Sequence, residues 1–277
     1  MLIGKNGMLG QALIDEFKSE QLFLFGSKEL DITDEKQVIK KVKEVQPDII
    51  INAAAYNDVD GIEENFNFAK KVNGLAPVFL ARAGRLVGAK LVHYSTDYVF
   101  AGNRNKGYLE TDKPDPISKY GFSKLLGEES LNFNNNVYII RTSRLFGHPG
   151  KSENAKKSFV DIMLYLAEKN NELNVVEDEI GNPTYVKDLA SFTRKLLEKK
   201  YKPGIYHGVN EGAVSWYDFA KKIFEITDKN VIIKPVKSDF FKRKAKRPAY
   251  SELKNTKMIK LRSWQDALVE YLKNKNI

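Results

Sequence analysis

Cysteine is absent from the 277 residues, which excludes disulfides, thiol nucleophiles and zinc–thiolate centres. Histidine is nearly as scarce. His93, His148 and His207 lie far apart in the chain, a distribution that offers no His-rich site and leads to the expectation of no bound metal. No apolar run approaches the roughly 18 residues a spanning helix requires, and the first residues lack the basic, apolar and small-residue succession of a secretory signal. The expectation is therefore a cytoplasmic protein with no membrane partner. What is present suits a folded chain: 42% hydrophobic and 29% charged residues can enclose a sizeable core at this length, in one large domain or two unequal ones.

The net charge of +9 is concentrated in one stretch. Between Lys234 and Arg262 stand 11 Lys or Arg residues against two acids, Asp239 and Glu252, and the rest of the chain is electrically balanced. Such a stretch suits nucleic acid, a membrane surface or a small polyanion such as a diphosphate, and equally a solvated face. No helix-turn-helix, finger or RNA-recognition signature accompanies it, so no nucleic-acid partner is expected.

Hydrophobic patterning alternates between strands and helices along the first half. Met1 to Ile3 meets a glycine turn and a helix from about Gln11 to Phe17. Leu22 to Phe25 reads as a second strand, followed by a helix over Asp34 to Val45 with Thr33 as its N-cap. Strands over Asp48 to Ala54, Lys90 to Ser95 and Val137 to Arg141 enclose helices over Asn65 to Ala83 and Ser118 to Asn132. Short, nearly all-apolar strands separated by helices indicate a doubly wound parallel α/β sheet, covered on both faces. Beyond about Gly147 the pattern is less regular, with helices near Ser158 to Asn170, Val186 to Lys199, Ser215 to Ile226 and Trp264 to Lys273 and a strand over Leu173 to Val176. The expected organisation is a Rossmann-like domain over residues 1–147 and a smaller lobe over 148–277, with some of its segments returning to the sheet.

Gly4, Gly7 and Gly10 form a GxxGxxG turn between the first strand and first helix. Chance placement of 18 glycines gives this spacing roughly 0.07 times in such a chain. A dinucleotide pyrophosphate must approach backbone N–H groups at a helix N-terminus, and side chains on the turn would block it. The second strand ends Phe25-Gly26-Ser27-Lys28 without a carboxylate to hold an adenosine ribose, and Lys28 or Ser27 could meet a 2′-phosphate; Glu29 stands only slightly farther along, so the expectation leans to NADPH, with NADH also admitted.

Tyr120 and Lys124 lie at i and i+4, hence on one helix face. Four other Tyr-x-x-x-Lys pairs occur, so spacing alone proves nothing. Only Tyr120 follows the strand ending Ser95-Thr96-Asp97, at the edge where an open parallel sheet collects its ligand. An ammonium beside a phenol lowers the phenol's pKa, so Lys124 is expected to tune Tyr120. Tyr120 could then protonate a ketone oxygen as hydride arrives, with Thr96 donating a hydrogen bond.

Several segments carry a family resemblance in order along nearly the whole chain: the glycine turn, Asn52-Ala53-Ala54-Ala55-Tyr56, Asp58-Val59-Asp60, Val72-Asn73, Ser95-Thr96-Asp97-Tyr98-Val99-Phe100, Tyr120 with Lys124, Arg141-Thr142-Ser143, Gly181-Asn182-Pro183-Thr184-Tyr185 and Arg247-Pro248-Ala249-Tyr250-Ser251. Together they resemble the extended short-chain dehydrogenase/reductase superfamily, and within it the dTDP-4-dehydrorhamnose reductase family. The resemblance implies reduction of the 4-keto group of a dTDP-linked deoxysugar to dTDP-L-rhamnose, a polysaccharide precursor. Tyr120 is then proton donor and Lys124 its modulator, with Thr96 and Asp97 contacting the sugar. Gly4, Gly7, Met8, Leu9, Gly10, Asp31, Ile32, Ala53, Ala54, Ala55, Tyr120 and Lys124 would hold the cofactor. Arg247 would bind the nucleotide-sugar. Arg144 stands where the family often carries an aromatic residue and is kept as a candidate substrate contact. The number of subunits stays open, a homodimer included. The alternatives are another nucleotide-sugar reductase or epimerase of the superfamily and a non-catalytic dinucleotide-binding regulatory subunit, against which Thr96, Tyr120 and Lys124 argue.

Overall fold

A computed structural model describes residues 1–131, 136–151 and 155–275. The first half alternates β1 (Leu2–Ile3), α1 (Met8–Glu16), β2 (Leu24–Phe25), α2 (Glu35–Val45), β3 (Ile49–Asn52), α3 (Phe66–Ala69), α4 (Ala76–Leu86), β4 (Lys90–Thr96), α5 (Lys119–Ser130) and β5 (Val137–Thr142). The second half contains β6 (Leu145–Phe146), α6 (Phe159–Ala167), β7 (Glu172–Val176), β8 (Ile180–Gly181), β9 (Thr184–Tyr185), α7 (Val186–Glu198), β10 (Gly204–His207), β11 (Val214–Ser215), α8 (Trp216–Ile226), β12 (Ile232–Val236) and α9 (Trp264–Asn274). Six strands form one parallel sheet in the order β10-β5-β4-β3-β1-β2.

Alternate strand residues feed two separate cores, as a sheet covered on both faces requires. Leu2, Ile51, Val92, Tyr94, Tyr138 and Ile140 pack with α1 and α7, whereas Ile3, Ile50, Leu91, Val137 and Ile139 pack with α2 and α4. Fully burying one such side chain contributes about 1.5–3 kcal/mol. The first core continues into the second lobe through an aromatic cluster, in which Phe146 lies 5.4 Å from Tyr185 and 5.9 Å from Phe219 between ring centroids.

Several local details differ from the sequence reading. Asp34, not Thr33, caps α2, its carboxylate accepting from the N–H groups of Lys36 and Gln37, while Thr33 is held by Asp31. The helix expected over Asn65 to Ala83 is broken by a π-helical stretch over Lys70–Leu75 and runs on to Leu86. α5 ends at Ser130; the end expected at Asn132 lies outside the described residues. Gly204–His207 supplies the sixth strand, in register with Tyr138–Arg141, and α7 packs on α1. Segments beyond residue 147 thus complete the sheet.

The stretch from Ala249 to Lys254 is stitched between the loop after β4 and the β8 strand. Tyr250 N–H donates to Gly102, Ser251 N–H to Ile180, and Lys254 N–H to Tyr108, at 2.8–2.9 Å. This lashes the second lobe to the C-terminal edge of the sheet. No described helix is long and apolar enough to cross a membrane.

Candidate active site

The three glycines of the opening turn do different work. Gly4 adopts φ +86°, and a Cβ there would meet Ala54 N at 2.7 Å; a Cβ on Gly10 would meet the Gly4 carbonyl oxygen at 2.1 Å. Both positions are needed to close the turn on itself and on the Ala53–Ala54 segment. A Cβ on Gly7 would have only the Gly4 carbonyl oxygen in reach, at 3.4 Å, so this is the glycine with open space. Gly7 is also the N-cap of α1, with no side-chain cap and no acid in the first turn. Uncapped amides with no competing carboxylate suit a diphosphate, as the donor set of a dinucleotide site requires. Gly150 lies against this turn, where a Cβ would come within 3.0 Å of Met8 N, and Lys151 N–H donates to the Asn6 carbonyl at 2.9 Å. Nothing in the local sequence of Gly150 announces that approach.

Glu29, which the sequence places just beyond the end of β2, comes back to that strand end. Glu29 turns back so that its Oε2 accepts from Gly26 N–H at 2.8 Å, and Lys5 of the glycine turn donates to Oε1 at 2.7 Å. Lys5 chiefly, with the Gly26 amide, holds the Glu29 carboxyl below its ordinary range and neutralises its charge locally. Asp31 is exposed and accepts from the Thr33 N–H and hydroxyl through Oδ1, whereas Ile32 is buried. Ala53 and Ala54 are half-buried and Ala55 exposed, beside the turn.

Thr96, Asp97, Tyr98 and Tyr120 meet at the C-terminal edge of β4. Thr96 donates to Asp97 Oδ1 at 3.0 Å, and Ser251, brought by the stitched segment, donates to Oδ2 at 2.5 Å. Burial nevertheless pushes the Asp97 carboxyl up from its ordinary range. The Tyr98 and Tyr120 rings pack edge to face at 5.5 Å, with the Thr96 hydroxyl beside the Tyr120 phenol. Burial pushes the Tyr120 phenol up to about 12, against the smaller opposing effect of Thr96. The sequence reading expected Lys124 to lower it. Instead the Lys124 amine is turned to the Tyr94 carbonyl at 2.7 Å and stands 3.4 Å from His93 Nε2. Lys124 is 2% exposed, and burial lowers its pKa to about 8, with Glu128 opposing. Glu128 is itself buried and bound by Arg141 through three contacts of 2.6–3.1 Å.

The helix bearing Tyr120 is fixed by close backbone approaches. Gly121 lies where a Cβ would strike the Tyr98 carbonyl oxygen at 2.1 Å, and Gly127 where it would strike the Asn73 carbonyl oxygen at 2.3 Å. Asn73, presented by the π-helical stretch, bonds both backbone groups of Tyr56 and the hydroxyl of Ser123 at 2.8–2.9 Å. The Ala53–Tyr56 segment and α5 are therefore held as one unit.

Arg144 adopts φ 45°, a strained conformation for a residue with a side chain. Its guanidinium stacks 4.1 Å from the Trp216 ring centre and donates to the Val214 carbonyl at 2.8 Å. Burial lowers its pKa to about 10, with Asp97 the first of the groups opposing. Arg247 reaches back across the molecule to Asp60, donating to both carboxylate oxygens at 2.7 Å. That grip holds the Asp60 carboxyl well below its ordinary range.

The basic stretch is mostly answered by acids distant in sequence. Lys234 pairs with Glu172, Lys237 with Glu177, Arg243 with Glu179, Lys244 with Glu64, Lys260 with Glu211, and Arg262 with Asp188 and Glu270. Much of the stretch is thus ion-paired within the chain, several of the pairs at its surface. No cluster of metal-ligating side chains occurs among the described residues. Sequence reasoning missed Asp60, Glu128, Ser251 and His93 as parts of the site. For His93 a signal existed, since period-2 alternation along β4 sets it on the same face as Leu91.

The arrangement has relatives. SpsK, a spore coat polysaccharide biosynthesis protein of Bacillus subtilis (strain 168), is 39% identical over 283 residues, covering 100% of this chain and 97% of its own. The dTDP-4-dehydrorhamnose reductase of Aggregatibacter actinomycetemcomitans is 38% identical, covering 97% of this chain and 96% of its own. The crystal structure of dTDP-4-dehydrorhamnose reductase from Bacillus anthracis str. Ames in complex with NADP superposes with a TM-score of 0.93 at 39% identity, over 99% of this chain and 98% of that one. The model of the RmlD substrate binding domain matches residues 1–277. With the family model spanning the whole chain and relatives of 38–39% identity matching it nearly end to end, the chain belongs to the RmlD substrate binding domain family.

Proposed function

We propose that this chain is an NADPH-dependent reductase that converts the 4-keto group of dTDP-4-dehydro-L-rhamnose to the alcohol, giving dTDP-L-rhamnose in the cytoplasm. The observation that carries the reading is the convergence of Thr96 and Tyr120 beside the sheet edge that holds the glycine turn. Bound NADPH would supply the hydride for the ketone carbon. Tyr120 supplies the proton to the ketone oxygen: a phenol pushed up to about 12 stays fully protonated near neutrality, the state a donor must have. Thr96 aligns the phenol. Asp97, held by Ser251 and Thr96, and Arg144, steadied by Trp216, line the sugar side.

Gly7, Met8 and Leu9 would offer backbone N–H groups to the diphosphate of the cofactor, and Ala53 to Ala55 the wall beside it. Lys5 can turn from Glu29 to a 2′-phosphate. Arg247, freed from or shared with Asp60, would meet the nucleotide-sugar diphosphate through paired donors.

Following NADPH absorbance with a panel of keto-sugar nucleotides tests the reading. Oxidation should accompany dTDP-4-dehydro-L-rhamnose and form dTDP-L-rhamnose. Equal or greater turnover of another keto-sugar nucleotide would move the assignment to a sister reductase, and NADPH binding without turnover of any of them would favour a regulatory subunit.

A further inference from the structure

Behind Lys124 lies a polar chain that reaches the wall of the cofactor site. Asn52 and His93 are paired in register on β3 and β4, and both are fully buried. Asn52 Oδ1 accepts from Ala54 N–H at 3.1 Å, which leaves its amide nitrogen facing His93 Nδ1 at 3.1 Å. Flipping that amide would set its NH2 against the Ala54 N–H, two donors face to face. An amide nitrogen only donates, so Nδ1 must accept, and a neutral imidazole then carries its proton on Nε2. Burial, then the charge of Lys124, holds His93 well below its ordinary pKa, hence neutral. Nε2 is 3.4 Å from Lys124 Nζ. An N–H at that position meets a lone pair if the lysine is an amine and another N–H if it is an ammonium.

We infer that His93 is a positioning residue that sets the charge of Lys124: by presenting Nε2–H it favours the neutral amine in the cofactor-free protein, so that binding of NADPH draws a proton onto Lys124. The inference rests on the cofactor reading above. Lys124 is faced by His93 and the Tyr94 carbonyl from β4, with the charge of Glu128 on its own helix, Tyr120 one turn earlier on α5, and at one remove Asn52 of β3 and Arg141 of β5. Of these, only the Glu128 carboxylate and the Tyr94 carbonyl favour the ammonium, and Arg141 already neutralises Glu128. An arriving polyanion supplies the missing negative charge. The same Asn52 side chain anchors Ala54, so the cofactor wall and the lysine share one support.

Calorimetric titration of the full chain with NADPH at pH 8, in buffers of different ionisation enthalpy, reads the proton directly. The wild type should take up a substantial fraction of a proton per NADPH at pH 8 and almost none at pH 6.5, and Lys124→Met should take up none at either pH. His93→Asn keeps an acceptor for Asn52 but deletes Nε2–H, and His93→Gln can offer a carbonyl to Nζ. Both should move the uptake window up by about one pH unit. Absence of uptake by the wild type, which depends on no variant folding, would overturn the inference, as would a window unmoved in both His93 variants. NADPH bound with uptake but never oxidised by a keto-sugar would instead overturn the proposed reaction and leave this inference standing.

Discussion

Replacing Lys124 with Met should stabilise the fold at neutral pH while destroying its chemistry. The amine is buried, and the fall from 10.5 to about 8 corresponds to about 3 kcal/mol of unfavourable ionisation in the folded state. Met has similar length, no charge and adaptable packing. It forfeits the bond to the Tyr94 carbonyl, worth about 1 kcal/mol, which leaves a net gain of about 2 kcal/mol at pH 7. Between about 8 and 10.5 the unfolded chain holds the Lys124 proton more tightly than the folded one, so wild-type stability from this group rises with pH. The advantage of the variant should therefore shrink across that interval and vanish by its upper end. Urea midpoints of both proteins at pH 7 and pH 10.5 measure it. A variant less stable than wild type at pH 7, or a difference independent of pH, would refute the reasoning.

Other expectations concern the surrounding charges. Glu128→Gln leaves the Arg141 guanidinium buried without its carboxylate and should cost about 3–5 kcal/mol in urea unfolding, much of it recovered by pairing Glu128→Leu with Arg141→Met. Lys5→Ala leaves the Glu29 carboxylate unneutralised at the end of β2, so the affinity ratio of NADPH to NADH should fall about tenfold, or about 1.4 kcal/mol by fluorescence titration. An unchanged ratio would place the 2′-phosphate elsewhere. Arg247→Ala should raise KM for the nucleotide-sugar at least about tenfold with kcat little changed, since it removes binding common to ground and transition states. Unchanged KM would make Arg247 a lobe clasp with Asp60 and nothing more.

Features written locally were legible in the sequence, and features that depend on distant partners were not. The apolar runs at Ile49–Asn52, Lys90–Thr96 and Val137–Thr142 announced a sheet buried on both faces, and the glycine spacing announced the tight turn between β1 and α1. Gly204–His207 was overlooked as a strand because four residues with a single strongly apolar member carry little pattern; its place comes from register with β5. The π-helical stretch before α4 has no periodic signature, yet it is what presents Asn73 to Tyr56 and Ser123. The basic stretch suggested an anion site because the acids that answer it, from Asp60 to Glu270, are scattered along the chain. Position in the sequence singled out Tyr120 and Lys124 as candidates, but not their electrostatics, since spacing on a helix does not reveal that burial dominates both groups.

The most direct test of the central claim is Tyr120→Phe, followed by NADPH oxidation on mixing with dTDP-4-dehydro-L-rhamnose. Loss of the phenolic proton alone should lower turnover by about 10²–10⁴-fold while NADPH affinity stays near wild type. Turnover within a few-fold of wild type would contradict the assignment of Tyr120 as the proton donor.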